Sequence, residues 1–131
     1  MGALWVKISG IYFILGIGVG MFMSASLQLQ WAAGHAHVNL VGWVSMGIFG
    51  AIYSIYPEAG NNTLGKWHFW LYQLGAPILL ISMFLIQMLD VFSLGFVHTL
   101  TFLGGAMVSL GVILFIINCF INVQHKNAAL K

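Results

Sequence analysis

Apolar residues fill this chain in four long blocks, and only short polar breaks separate them. The blocks run from Val6 to Leu27, Ala33 to Ile55, Trp67 to Leu89 and Ser93 to Asn122. A helix of about 20 apolar residues crosses the hydrocarbon core of a bilayer. Each block reaches that length. The breaks are Gln28-Leu29-Gln30, the stretch Pro57 to Asn62, Asp90 with Ser93, and a polar tail from Gln124 to Asn127. The pattern predicts an all-α, integral membrane four-helix bundle, a single domain over residues 1–131. Met23-Ser24-Ala25-Ser26 has the small residues of a leader cleavage site. The apolar run before it exceeds the roughly 7–15 residues of a leader's apolar region, so block one is read as a span. Gly16 and Gly20 in span one, and Gly105 and Ser109 in span four, have the small-xxx-small spacing that lets helices approach closely.

Composition supports a lipid environment. Charged residues make up 5% of the chain, against about 25% in soluble domains. Six charged side chains cannot cover a water-facing surface. The net charge of +2 is too small, and too short of arginine, to suggest a nucleic-acid partner. The lone cysteine, Cys119, has no partner within the chain for a disulfide. Lys7, Lys66, Lys126 and Lys131 all fall on one side of a four-span topology, whereas Asp90 sits in a loop on the other. The positive-inside rule then places both termini in the cytoplasm, as in a bacterial inner-membrane protein. Trp5, Trp67 and Trp70 mark an aromatic belt at that boundary, and Trp31 marks the outer one.

The same topology sorts the histidines by depth. His35 and His37 lie near the outer start of span two, and His98 near the outer start of span four. His68 begins span three on the lysine side, roughly 30 Å away, so it belongs to no site with the other three. His125 falls in the polar tail and reads as a solvated surface residue. Ionisable groups inside a membrane span are functional candidates by default. Successive helical residues turn by about 100°, so His35 and His37 face opposite sides of span two. His35 and Asn39, four apart, share a face. One cysteine and two acids exclude thiolate and carboxylate metal sites. Imidazole ligation remains, to haem iron or copper, with zinc a weaker fit. The methionines, from Met21 to Met107, are scattered and read as packing.

The stretch from His35 to Trp43, HAHVNLVGW, together with Ile48 to Tyr53 and more weakly His98 to Gly105, resembles the haem-copper oxidase subunit I superfamily. In that family a His-x-His on one helix serves two haems from opposite faces. A His-x-Asn, matched here by His37-Val38-Asn39, takes part in low-spin haem binding. The catalytic subunits have about twelve spans in three four-helix arcs, and this chain has the size of one arc. The resemblance therefore implies a homotrimer, with haem pockets between subunits and His35, His37 and His98 as cofactor and metal ligands. It implies a b-type haem, with copper as a further candidate. The family's consecutive histidine pair and intramembrane acidic residues are missing, so a proton-pumping oxidase is not implied.

Three functions follow as expectations. The first is a membrane haem protein that transfers electrons or binds NO or O₂ near the outer face, with Trp43, Phe49 and Phe102 as candidate walls. The second is a copper-binding or metal-handling protein using the same histidines. The third is a cofactor-free assembly subunit. Lipid and further copies of the chain are the expected partners. Enzymatic turnover and the redox partner have no signature in the sequence.

Overall fold

The computed structural model describes residues 1–124. The expected sites of His125, Lys126 and Lys131 lie outside the described residues. The elements are α1 (Gly2–Ser26), a 3-10 turn (Leu29–Trp31), α2 (Ala32–His37), a π-helical segment (Val38–Ser45), α3 (Met46–Ile55), α4 (Pro57–Asn61), α5 (Thr63–Leu85) and α6 (Leu94–Asn122). They form four rods long and apolar enough to cross a membrane: α1, the continuous run Leu29–Ile55, α5 and α6. The described residues contain no strand.

Local chemistry sets the ends. Leu27 takes a left-handed conformation (φ 56°) that stops α1. Asn62 caps α5 by accepting from the Gly65 amide at 2.8 Å. Ser93 does the same for α6 from the Phe96 amide. Such caps satisfy amides that have no partner within the helix. Span three ends at Leu85, short of the expected Leu89. The turn that follows is itself apolar, with Met88 and Leu89 exposed, so hydropathy alone extends the span too far.

Small residues build both helix seams. α1 runs antiparallel to the second span. A Cβ on Gly16 would lie 2.5 Å from Asn39 Oδ1, and one on Gly20 would lie 3.0 Å from His35 Cε1. Gly42 packs in the same way on the Tyr12 ring, and Gly50 on Val6. The Gly16/Gly20 pair therefore receives the polar face of the histidine motif. The α5/α6 seam uses different glycines from those expected. Gly75 and Gly104 meet backbone to backbone: a Cβ on Gly104 would lie 2.8 Å from Leu79 Cα and 2.9 Å from the Gly75 carbonyl oxygen. Gly105 faces open space, and Ser109 is exposed. The helical turn between adjacent positions puts Gly104, not Gly105, on the packed face.

The second span changes its winding inside the membrane. Over Val38–Ser45 the backbone is π-helical, with bonds from i to i+5. Ser45 Oγ donates to the Leu40 carbonyl at 2.8 Å, and Tyr72 Oη on α5 donates to the Val41 carbonyl at 3.0 Å. Carbonyls loosened by the wider turn thus find donors, as a lipid environment demands. Pro77 lies inside α5 and lines an apolar groove of about 440 Å³ together with Leu15, Val19 and Phe84.

Trp5 is the largest departure from the belt expectation. It is fully buried, where α1 meets α3 and α5, with Phe49, Phe69 and Tyr72 edge-on around it. Trp67 and Trp70 are exposed, as belt residues are. The nearby polar knot centres on Asn118, also fully buried. Its amide donates to the Ala59 carbonyl at 2.7 Å and to Tyr53 Oη at 3.4 Å. Its Oδ1 accepts from Asn62 and Asn122, each at 2.8 Å. One side chain thus ties α3, α4, α5 and α6 together. Asn118→Leu strands several of these groups, and each orphaned buried group costs about 1–3 kcal/mol. We expect a large drop in the thermal unfolding midpoint of the detergent-solubilised protein. An unchanged midpoint would show that the knot adds nothing to stability.

Candidate functional site

The two histidines of the second span have separate surroundings. His35 is half-buried and turned toward α1, its ring edge against Gly20. Asn39, one turn on, donates to the His35 carbonyl at 2.9 Å and lies 3.5 Å from His35 Nδ1. This imidazole is packed within its own chain.

His37 is different. It sits at the last residue of α2, directly before the π-helical segment. Its Nδ1 lies 2.9 Å from the Ala33 carbonyl oxygen, in its own helix. A carbonyl can only accept, so Nδ1 carries the proton and donates. That fixes the tautomer and leaves the Nε2 lone pair unused. Metal-ligating histidines are held in this way, with the second ring nitrogen donating to a carbonyl or carboxylate. In the turns that follow, Leu40, Trp43 and Val44 are exposed, and Trp43 stacks on Phe13 of α1 at 3.9 Å.

His98 lies in the first turns of α6 and is exposed. Among the described residues, no group of three or more His, Cys, Asp or Glu comes together as a metal cluster. His35, His37 and His98 therefore do not assemble into one site within this chain. Of the candidate walls, Phe102 is exposed on α6. Phe49 belongs elsewhere, against His68.

His68 is the site that sequence reading passed over. It is fully buried on α5. Its Nδ1 is 2.8 Å from Tyr53 Oη on α3. Trp5 stacks on its ring at 4.8 Å, and Phe49 and Phe115 enclose it at 4.6 and 5.1 Å. His68 Nε2 and Trp5 Nε1 are both buried without a hydrogen-bond partner in the described structure. A lone histidine beside Trp67, at a span's beginning, resembles a headgroup-level residue. The signal that could have found it is the set of polar residues at the same depth: Tyr53, Asn118 and Asn122.

Known proteins similar to this chain point one way. It is 36% identical over 66 residues to a bacteroid cytochrome c oxidase subunit 1 homolog from Bradyrhizobium diazoefficiens, covering 46% of this chain and 12% of that protein. It is 33% identical over 73 residues to a cytochrome c oxidase subunit 1 homolog from Azorhizobium caulinodans, covering 51% and 13%. A third such homolog, from Agrobacterium tumefaciens, is 38% identical over 61 residues, covering 42% and 11%. The chain thus spans only about an eighth of the length of these relatives. No family model and no solved structure matches it. The chain resembles haem-copper oxidase subunit I over about half its own length.

Proposed function

We propose that this chain is a membrane haem protein related to haem-copper oxidases, with His37 as the residue that would hold the iron. The observation that carries the reading is the His37 Nδ1 bond to the Ala33 carbonyl, which leaves the Nε2 lone pair as the ring's available donor atom. The donor set suits haem better than a bare ion. Copper or zinc draws three or four ligands from protein, and the described residues gather no such cluster. A haem iron brings four ring nitrogens of its own and takes only one or two axial ligands from protein. One oriented imidazole is enough to begin.

Bound haem would supply one-electron transfer, or a gas-binding position for NO or O₂ where one axial place stays open. The chain's own part is local. The Ala33 carbonyl orients the His37 ring. Leu40, Trp43 and Val44 offer an apolar surface, and Asn39 keeps His35 within the α1 seam. His35 and His98 remain candidates for secondary roles. His98 is exposed on α6 and joins no cluster of three with His35 and His37 in this chain, so we assign its partner to a second copy. This favours a homo-oligomer, with the trimer implied by the family's three arcs. Lys7 and Lys66 lie toward the end where α1 begins and α3 gives way to α5. Their placement supports a bacterial inner membrane with that end cytoplasmic.

The test is a carbon monoxide titration of the reduced protein, alongside the His98→Ala variant. If a neighbour's His98 is a second ligand to the iron, the wild type ignores carbon monoxide and the variant binds it. If both bind it equally, the haem is a gas site with His37 as its single ligand.

A further inference from the structure

The haem reading makes no use of the buried pair Tyr53–His68, and its hydrogen-bond chain has only one consistent arrangement. Asn118 Oδ1 accepts from Asn62 and Asn122. Its amide nitrogen must therefore be the atom facing the Ala59 carbonyl, and it also reaches Tyr53 Oη. Tyr53 oxygen accepts from that amide. The phenol hydrogen is then left to point at the other neighbour, His68 Nδ1, at 2.8 Å. His68 is neutral, accepts at Nδ1, and carries its hydrogen on Nε2. That Nε2 has no hydrogen-bond partner among the described residues.

This is the geometry of a phenol poised over a base. Phenols lose an electron easily only when the proton can leave with it, because a phenol cation is a far stronger acid than phenol. Buried in the bundle, Tyr53 has one acceptor within reach. We propose that Tyr53 is a reversible one-electron donor, with His68 Nδ1 taking and returning its proton. In the forward step a high-potential, metal-centred one-electron oxidant removes an electron from the Tyr53 ring. The Oη–H bond breaks, the proton forms a bond to Nδ1, and Tyr53 becomes a neutral phenoxyl radical beside an imidazolium. Reduction reverses both transfers. The groups facing His68 are Trp5 from α1, Phe49 and Tyr53 from α3, Tyr72 from α5 and Phe115 from α6. None of them is a carboxylate or an amine that would compete for the proton. The proposal does not rest on haem, and it stands or falls separately from the His37 assignment.

The full chain in lipid nanodiscs, photo-oxidised with tris(bipyridyl)ruthenium(III) and frozen, tests it by electron paramagnetic resonance. We expect a tyrosyl radical with one exchangeable proton coupling and, in protein labelled with ¹⁵N-histidine, a coupling to an imidazole nitrogen. Tyr53→Phe removes that species. His68→Leu slows its formation roughly a hundredfold, the scale of a positioned proton acceptor. A wild-type radical with no coupling to labelled histidine overturns the proposal, and so does an unchanged signal in Tyr53→Phe. The labelled wild type gives its answer even where a variant fails to fold.

Discussion

His37→Ala is expected to abolish the Soret band of the purified protein, whereas His35→Ala keeps most of it. The two histidines are one residue apart in a motif that looks symmetric, so the contrast is sharp. His35 faces α1, with its ring edge over Gly20 and its carbonyl held by Asn39. Its loss leaves a gap in a seam that the surrounding glycines keep tight. Packing of that kind costs about 2–5 kcal/mol for a large side chain, and the readout is stability rather than colour. His37 has its Nδ1 held by the Ala33 carbonyl and Nε2 unoccupied. Its loss removes the one oriented lone pair of the motif. His37→Gln, which keeps size and polarity, should lose the band as well. A band that survives His37→Ala but not His35→Ala would transfer the ligand role to the α1 seam.

The second large effect separates two adjacent glycines. Gly104→Ala should destabilise the bundle by about 3 kcal/mol or more, the upper range for forcing atoms into a close-packed contact. The obstacle is backbone: the Cβ would meet Leu79 Cα and the Gly75 carbonyl, neither of which can swing aside as a side-chain end can. α5 and α6 must separate to admit it. Gly105→Ala has nothing within 4 Å to meet. It should be neutral or stabilise by up to about 1 kcal/mol, since alanine favours helix over glycine by that much. Thermal unfolding of the two variants in one detergent reads the difference. Equal midpoints would mean that the α5/α6 seam is looser than its glycines indicate.

The four spans and the histidine motif were legible because both are local. A run of about twenty apolar residues has one solution in lipid, and GHAHVNLVG breaks such a run. Seam membership was less legible. Gly16 and Gly20 sit on the helix face that their spacing suggested, but Gly105 and Ser109 have the same spacing and face away. Spacing alone does not say which side of a helix meets a neighbour. Trp5 was misread for a related reason. Its position near the chain's beginning resembles a belt residue, and only the docking of α1 on α3 and α5 buries it. The π-helical segment left no mark in its residues. The Tyr53–His68–Asn118 knot draws on α3, α5 and α6, residues 15 to 65 apart in sequence, and becomes a cluster only once the bundle forms.

The central claim, that this chain holds haem through His37, is tested most directly by one spectrum. The measurement is the reduced-minus-oxidised absorption difference of the wild-type protein, purified from haem-replete cells with iron quantified per chain. The account predicts a Soret band that shifts on reduction, resolved α and β bands, and iron in fixed proportion to protein. A folded, colourless protein free of iron would contradict it.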